Sequence, residues 1–408
     1  MEGTSQNTIS ATKKTVARPS VFRRIRMIAR REVGFFVHRP ALLFLTMIVP
    51  LLSVVMFTTM MNSGLPTKLP AGIVDQDNTK ISRTIVRTLD AFQQTNLKYS
   101  YPNFQTAKEA MIKGEICAFF LIPKGTTREA LFNRQPSIAF YTNEAYYVAG
   151  TLLMKDMRYV SEIVSLVLAR ENLYAHGKTP YQAATVMQPI VVETHPLNNP
   201  YLNYSVYLNT MVVPAIFFLV VMVATAYVMG LEWKQGTQRR LCAMAGNNPA
   251  VAIIGKLLPY TLLFFLIMLL YTVVFYKLLH FPCHCNVWEM VAFGWLGVLA
   301  SQGVALIFLG ILPGKMRIAM CMCSLWGIVA VSITGFTYPV TAMDPPLMEL
   351  SNFFPLRHYY LLYVNQALNG YPLHYVLPHL GALMLFIFVP IFLLPVYNTA
   401  FRHYHYQP

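Results

Sequence analysis

The sequence contains one short group of metal-binding residue types, Cys283-His284-Cys285, with His280 just upstream. Thiols and imidazoles are the ligands that soft metal ions prefer. A structural zinc site normally takes four ligands from two such pairs set further apart, so this spacing alone does not predict one. We instead expect a loop whose thiols can be oxidised, and we predict no metal or cofactor site.

Other arrangements typical of catalysis are missing from the sequence. It has no Ser-His-Asp, paired-carboxylate or HExxH pattern, and its Gly-Lys pairs at 255–256 and 314–315 are followed by Leu and Met. A phosphate-binding loop needs a hydroxyl residue directly after the lysine. Any ATP hydrolysis would therefore take place on another polypeptide, and we do not expect this chain to be an enzyme.

A polar group at Arg357-His358-Tyr359-Tyr360, with Asp344, keeps a membrane-embedded enzyme open as a less favoured alternative. Aromatic side chains with a few charges are also typical of the belt that a membrane protein places at the membrane surface. We prefer this second interpretation because the group lacks a recognisable nucleophile and base pair.

The composition is that of an integral membrane protein. Of 408 residues, 55% are hydrophobic and 12% are charged, whereas soluble proteins have about 25% charged residues. Six runs without charge have about the 20 residues that a helix needs to cross a bilayer; they are 41–61, 211–229, 257–276, 290–312, 318–340 and 376–397. The sequence predicts a polytopic α-helical membrane protein with six transmembrane helices.

The net charge of +15 could indicate nucleic-acid binding, but its distribution favours a membrane topology. With a cytoplasmic N-terminus, the inside pieces 1–40, 231–256, 313–317 and 398–408 hold 16 Lys and Arg against 3 Asp and Glu. The outside segment 62–205 holds 14 against 11. This is the positive-inside rule. We expect a multi-pass protein of the cell (inner) membrane with both termini cytoplasmic and no nucleic-acid partner.

The segment 1–40 comprises a polar tail without a signal-peptide pattern and a basic amphipathic helix. Apolar residues recur there at helical spacing, at Phe22, Ile25, Ala29, Val33 and Phe36. The other faces carry the arginines Arg23, Arg24, Arg26, Arg30 and Arg31. We expect this interfacial helix to lie on the cytoplasmic leaflet, in contact with membrane lipid, and to lead into the first transmembrane helix at 41–61.

Residues 62–205 have the composition of a folded domain outside the membrane. Strand patterns at 69–75, 97–101, 116–122 and 136–142 alternate with helical patterns at 81–92 and 104–113, which predicts an α/β or α+β extracytoplasmic domain. A long helix follows at 145–174, with an apolar stripe through Leu153, Met157, Val160, Val164 and Val167. The stripe can cover the sheet, form a stalk or meet a partner, and covering the sheet is the simplest of these.

Residues 206–408 hold the other five transmembrane helices, and two of their connections differ from ordinary short loops. The connection 231–256 is charged and should form a cytoplasmic elbow. The segment 335–370 has a proline-rich turn and two short amphipathic pieces, at 346–354 and 357–368. Because prolines prevent one continuous helix there, we expect a re-entrant-like dip into the outer leaflet.

Three stretches together resemble the permeases of type-2 ABC exporters. GFTYPVTAMDPPLMELSNFFPLRHYYLLYVNQALNG at 335–370 is similar to their C-terminal pattern of an aromatic-proline turn, a short helix start and a closing Asn-Gly. Glu232-Trp-Lys-Gln-Gly-Thr237 is similar to their acidic residue followed by Gly-Thr after the second helix. VDQDNTKIS at 74–82, after the first helix, resembles the subgroup with a large extracytoplasmic domain.

The resemblance implies a dimeric permease, as homodimer or heterodimer, powered by separate ABC ATPase subunits that dock on the loop 231–242. The implied ATPase-coupling residues are Glu232, Lys234, Gly236, Thr237, Arg239 and Arg240. It also implies efflux, for example multidrug export, and in some members a membrane-fusion adaptor protein. Because the spans are free of charge, an apolar or amphipathic substrate is favoured over an ion.

Two alternatives stay open at this stage. The charges of the elbow could serve only to set the topology. The protein could also be a non-transport scaffold or receptor-like protein, which would have the outer domain but no need for elbow contacts. Co-purification of an ATPase subunit would separate the permease from these alternatives.

Overall fold

The computed structural model describes residues 19–132, 134, 136–182, 197–199 and 203–407. Most of the predicted polar tail lies outside these residues, as does the segment 183–196 of the predicted outer domain. The chain forms two compact units, one made of residues up to Thr58 together with Tyr207–Pro408, the other of Thr59–Val206. We call them the membrane unit and the inserted unit.

Two helices open the membrane unit. Helix α1 (Val21–Val37) begins after Ser20, whose hydroxyl oxygen accepts a hydrogen bond from the backbone N–H of Arg23 (3.4 Å). Helix α2 (Pro40–Met60) follows directly and has proline in its first turn, where the missing N–H has no helical partner to lose. It corresponds to the first predicted transmembrane helix and contains a π-helical stretch at Phe44–Ile48.

The inserted unit is built on a four-stranded sheet with strand order β2-β1-β3-β4. Strand β1 pairs in parallel with β2 and β3, and β4 pairs antiparallel to β3. The strands are β1 (Leu69–Asp75), β2 (Thr95–Ser100), β3 (Ala118–Ile122) and β4 (Ala139–Thr142). The helices are α3 (Lys80–Asp90), α4 (Phe104–Ile112), α5 (Thr126–Leu131) and α6 (Tyr147–Ala175). The predicted α/β region between the first and second spans is confirmed.

Helices cover both faces of this sheet. On one face, α3 and α6 bury a core that includes Ile85, Leu89, Leu153 and Met157. On the other face, α4 packs through Ala107 and Ala110. The predicted stripe on the long helix packs against the core of the sheet as far as Val164, whereas Val167 is 44% exposed.

A turn rich in Asp and Asn joins β1 to α3 and is held by side-chain hydrogen bonds. Asp75 accepts hydrogen bonds from the backbone N–H of Asp77 (3.0 Å) and from the Ser82 hydroxyl (2.7 Å). Asp77 accepts from the N–H groups of Gly125 (2.8 Å) and Thr127 (3.1 Å), and so ties this turn to the start of α5. The residues of the 74–82 pattern therefore have a structural role here.

Nine further helices follow in the described part of the chain. They are α7 (Tyr204–Lys234), α8 (Gln238–Met244), α9 (Pro249–Leu278), α10 (Val287–Ile311), α11 (Met316–Ile333), α12 (Pro345–Ser351), α13 (Pro355–Leu362), α14 (Leu373–Phe392) and α15 (Leu394–His403). Among the described residues, six helices are long and apolar enough to cross a membrane, namely α2, α7, α9, α10, α11 and α14. The predicted number of transmembrane helices is confirmed.

The spanning helices pack closely where small residues allow it. A Cβ atom added to Gly303 of α10 would lie 2.1 Å from the carbonyl oxygen of Phe386 in α14. No side chain fits at that distance, so glycine sets the approach of these two helices. The segment 335–370 forms α12, α13 and a π-helical continuation at Tyr363–Leu368. Phe354, just before α13, stacks on Trp326 of α11 with ring centroids 4.5 Å apart. The dip into the outer leaflet stays a prediction.

The turn at Asp77 leads to a prediction for the inserted unit. Replacing Asp77 with alanine leaves the N–H groups of Gly125 and Thr127 without this acceptor, and we expect the free energy of unfolding to fall by about 1–3 kcal/mol. The measurement is urea unfolding of a fragment covering residues 59–206. Glu109→Ala changes an exposed residue of α4 and is the matched control. An equal loss of stability in both variants would contradict the role of Asp77 as the acceptor that holds this turn.

The same variant has a defined pH dependence. Burial alone would raise the pKa of Asp77, but the hydrogen bonds from Thr127, Gly125 and Thr79 outweigh it and lower the pKa. A carboxyl group with a lowered pKa stabilises the folded state above its unfolded pKa of about 3.9 and loses that effect as the pH falls through the folded value. The stability difference between wild type and Asp77→Ala should therefore be full at neutral pH and shrink below about pH 4.

Candidate functional site

The elbow between α7 and α9 is shorter and more helical than predicted. Helix α7 continues to Lys234, α8 occupies most of the connection, and α9 begins at Pro249. Gly236 makes the turn into α8 with φ +67°, a conformation that favours glycine. The predicted loop 231–256 is thus corrected to the non-spanning residues 235–248. The charges at 232 and 256 do not end the helices, because they are paired with each other.

Glu232 near the end of α7 is buried, with 3% exposure. Its carboxylate accepts hydrogen bonds from Lys256 Nζ (2.7 Å), from Arg31 Nη2 (3.0 and 3.2 Å) and from the Thr237 hydroxyl (2.6 Å). Charge-assisted hydrogen bonds of this length are among the strongest in proteins. Glu232 therefore joins α1, α9 and the start of α8 at one point.

Lys256 also reaches a second carboxylate, on α1. Its Nζ atom lies 2.8 Å from Glu32 Oε2, and the exposures of the two residues are 3% and 1%. Arg31, Glu32, Glu232 and Lys256 form what we call the ion-pair cluster. Two positive and two negative charges balance in it, which is the condition for burying charge without a large free-energy cost.

The cluster is asymmetric. Glu32 Oε1 and Arg31 Nη1 are buried, lack a hydrogen-bond partner among the described residues and lie 4.0 Å apart. Burial raises the pKa of Glu32, and the attraction of Lys256 opposes this only in part. A narrow groove lies beside the cluster, with Arg39, Gln235 and Tyr260 in its wall. Glu32 is therefore the more weakly held of the two carboxylates.

Helix α1 packs against the membrane unit along one side. Its buried residues are Ile28 and Glu32, and Ile28 packs against Gly255 of α9. Within the predicted apolar stripe, Phe22 and Val33 are 75% and 50% exposed. Contact of this exposed part of the stripe with membrane lipid stays a prediction.

The five arginines of α1 separate into two sets. Arg24 donates to the carbonyl oxygen of Ala245 (3.4 Å), just after α8, and Arg31 belongs to the cluster. Arg23, Arg26 and Arg30 are exposed. Only these last three are oriented for contact with a lipid surface or another molecule.

The last helix holds the elbow from another side. Trp233 of α7 donates from its indole N–H to the carbonyl oxygen of Ala400 in α15 (3.3 Å) and stacks on Phe401. Gln238 of α8 donates to the carbonyl oxygen of Tyr404 (3.2 Å). The elbow is thus attached to α1, α9 and α15, which makes it a rigid part of the membrane unit.

The predicted coupling residues therefore have different environments. Lys234, Gly236, Arg239 and Arg240 are exposed. Glu232 is buried and Thr237, half-buried, donates to it. In this structure the Glu232 carboxylate is bound to Lys256, Arg31 and Thr237, so it does not lie free on the elbow surface. A role of Glu232 in coupling to an ATPase stays a prediction, and its burial favours an indirect one.

Sequence reasoning missed Glu32 and Lys256 as partners of Glu232. A signal was present, since Glu32 is the only acidic residue between Glu2 and Asp75 and lies among arginines. Lys256 similarly stands alone in a long apolar stretch after Asn248. A single charged residue within an apolar stretch, or a single acid among arginines, indicates a buried ion pair. It does not identify the partner residue.

The other candidate residues do not assemble into a catalytic group. Arg357 donates to Asn352 Oδ1 (3.2 Å) and to the carbonyl oxygen of Thr334 (3.3 Å). His358 Nε2 lies 2.8 Å from the carbonyl oxygen of Asn352. Asp344 is not among their partners. Within the described residues, no group of three or more His, Cys, Asp or Glu side chains could hold a metal ion.

The ion-pair cluster leads to a stability prediction. Replacing Lys256 with methionine leaves Glu32 buried without its partner and Glu232 with one cation fewer, and we expect the unfolding free energy to fall by about 3–5 kcal/mol. Adding Glu32→Gln to Lys256→Met should restore part of the loss, because it removes the uncompensated charge. Thermal unfolding of the full chain in detergent measures this. Lys277→Met, an exposed position on the same helix, is the control, and a strictly additive double variant would contradict the cluster.

Comparison with known proteins identifies the family. The sequence profile of the ABC-2 family transporter proteins matches residues 40–394, which include all six spanning helices and the inserted unit. No curated protein matches the chain. The match covers most of the sequence, and the six helices with an α/β region after the first agree with the predicted layout. The chain therefore belongs to the ABC-2 family of transporter proteins and is a membrane-spanning permease subunit.

Proposed function

We propose that this protein is the permease of an ATP-driven exporter, which moves an apolar or amphipathic substrate out of the cytoplasm or the inner leaflet. A separate ABC ATPase subunit, which the family implies, docks on the elbow. The observation that carries this proposal is the ion-pair cluster, because it links the elbow to three other helices through buried contacts. A loop that only set the topology would need charges but not this linkage.

The docking surface is formed by the exposed residues of the elbow. Lys234, Arg239 and Arg240 give it positive charge, and the Arg239 guanidinium is oriented by a hydrogen bond to the carbonyl oxygen of Arg402 (3.2 Å). Gly236 has open space where a Cβ would be. Its role is to form the turn, and it leaves room for a partner to approach the backbone. An acidic surface on the ATPase complements these residues.

Force applied to α8 reaches the other helices through Glu232. Thr237 at the start of α8 donates to Glu232, which is bound to Lys256 of α9 and Arg31 of α1. Buried ion pairs resist separation, because each charge would be left without a partner. The three helices therefore move together with the elbow.

We infer the substrate class from the composition of the spanning helices. The runs 211–229, 290–312 and 318–340 carry no charged residue. Helices without charge offer an ion no compensating partner inside the membrane, which favours apolar and amphipathic molecules over ions. Drug-like and lipid-like compounds both belong to this class, and multidrug export is one form of it.

The orientation and the partners complete the proposal. The basic elbow and both termini lie in the cytoplasm, and the inserted unit lies outside the cell (inner) membrane. Arg23, Arg26 and Arg30 of α1 contact anionic headgroups of the inner leaflet. A second permease subunit, identical or related, completes the transporter. A membrane-fusion adaptor protein is a further candidate partner on the outer side.

The docking surface can be tested by charge reversal. In Arg239→Glu/Arg240→Glu we expect at least tenfold less ATPase subunit to co-purify, because an acidic partner is then repelled. Lysine at both positions keeps the charge and should retain most of the binding. Arg317→Glu, exposed at the start of α11, is the matched control for effects on topology. Normal ATPase binding by the reversed pair would exclude this surface.

The transmission role of Glu232 gives a different phenotype. Glu232→Gln keeps the shape of the side chain but weakens its contacts with Lys256 and Arg31. The ATPase subunit should still bind. Transport and substrate-stimulated ATP hydrolysis should fall together, by about tenfold. Transport into inside-out vesicles containing both subunits measures this. Glu289→Gln, in the first turn of α10, is the control. Loss of ATPase binding in Glu232→Gln, or full coupling, would contradict an indirect role.

A further inference from the structure

The loop between α9 and α10 brings two thiols together. Cys283 Sγ and Cys285 Sγ lie 3.6 Å apart, and both residues are only partly buried. The loop follows Leu278 and precedes Val287, so it lies at the end of α9 opposite the elbow. With the proposed orientation it faces the compartment outside the cytoplasm, where disulfides persist.

The backbone around the pair is held in place by neighbouring elements. The N–H of His284 donates to the carbonyl oxygen of Ala367 in the π-helical stretch Tyr363–Leu368 (2.8 Å). Phe281 stacks on Phe275 of α9 with ring centroids 5.6 Å apart. The loop 279–286, which we call the strap, therefore links α9 to this stretch. It carries both thiols.

The two thiols differ in their chemistry. The hydrogen bond from the Cys285 thiol lowers the pKa of Cys283 to about 7, and the same bond raises the pKa of Cys285. Cys283 is thus more readily deprotonated at neutral pH than an ordinary cysteine. The thiolate is the form that attacks a disulfide. Cys283 is therefore the attacking residue and Cys285 the resolving one.

No other cysteines on described residues are arranged in this way. Cys321 and Cys323 have the same spacing, but both lie in α11, and residues two apart on a helix do not face each other. Cys321 is exposed and Cys323 is buried. A third metal ligand is also missing beside Cys283 and Cys285 within the described residues, which favours thiol oxidation over metal binding.

We infer that Cys283 and Cys285 form a reversible redox site, which closes to an intramolecular disulfide by exchange with an oxidised disulfide partner, either a small disulfide or a dithiol oxidoreductase. The Cys283 thiolate attacks one sulfur of the partner, and the partner's other sulfur leaves as a thiolate. Cys285 then loses its proton and attacks the Cys283 sulfur of the mixed disulfide, which releases the second partner sulfur. The two cysteines lose two electrons and two protons in total, and the partner disulfide is reduced to two thiols.

Closing the bond changes the strap. The two sulfur atoms must approach from 3.6 Å to about 2.05 Å. The ring formed by the disulfide removes freedom from the backbone at His284. Oxidation should therefore hold the outer end of α9 more firmly against the π-helical stretch.

The test uses the purified full chain in buffers of oxidised and reduced glutathione, followed by alkylation and peptide mass measurement. We expect the peptide with Cys283 and Cys285 to lose two hydrogens as the buffer becomes oxidising, with no glutathione retained, and to regain them in dithiothreitol. The His284 amide should exchange its hydrogen at least threefold more slowly in the oxidised form. A stable glutathione adduct on wild-type Cys283, or two thiols that stay open to alkylation in oxidised glutathione, would overturn the inference.

Cys285→Ala provides the matched control. Without the resolving thiol, Cys283 should retain glutathione, and the pH midpoint of its reaction with iodoacetamide should rise from about 7 towards the ordinary thiol value of about 8.5. An unchanged midpoint would show that Cys285 does not activate Cys283 and would overturn the assigned roles. Because these readouts need neither the ATPase nor transport, their failure is distinct from failure of the proposed function.

Discussion

Lys256 has a carboxylate on each side within hydrogen-bond distance, one from the helix before the first span and one from the end of the second. Much of the elbow end of the membrane unit depends on this arrangement. It allows α7 and α9 to continue as helices past their charge-free stretches, it pulls α1 against α9, and it leaves the remaining basic residues of the elbow exposed. Removing any one charge would leave another unbalanced in a place without water, so the four residues act as one element.

Local patterns were sufficient to predict most of the architecture. The six spans were predicted from charge-free stretches long enough to cross a bilayer, because hydrocarbon excludes unpaired charge. The strands of the inserted unit were predicted from the strand and helix patterns that alternate between residues 69 and 142. The stripe on α6 packs on the core of the sheet at Leu153, Met157, Val160 and Val164, and Val167 is largely exposed. Periodicity identifies an apolar face but not the length of the surface that it meets.

The cluster was not predictable in the same way. Glu232 looked exposed because its neighbours Lys234, Arg239 and Arg240 are polar, and a single sequence does not show that a lysine 24 residues later is in contact with it. The side of α1 that packs on the other helices was missed for the same reason. A buried ion pair at Glu32 and the close packing of Ile28 on Gly255 define that side. Long-range pairing of charges is a tertiary property, and local periodicity has no information about it.

The distance along the chain between Glu32 and Lys256 also constrains how the protein is made. These two residues are 224 positions apart. At the usual ribosomal rates of about 5–20 residues per second, roughly 10–45 s pass between the synthesis of one and of the other. During that interval Glu32 does not yet have Lys256 as a partner. The contact between α1 and α9 can therefore form only after the beginning of α9, the third spanning helix, has been synthesised.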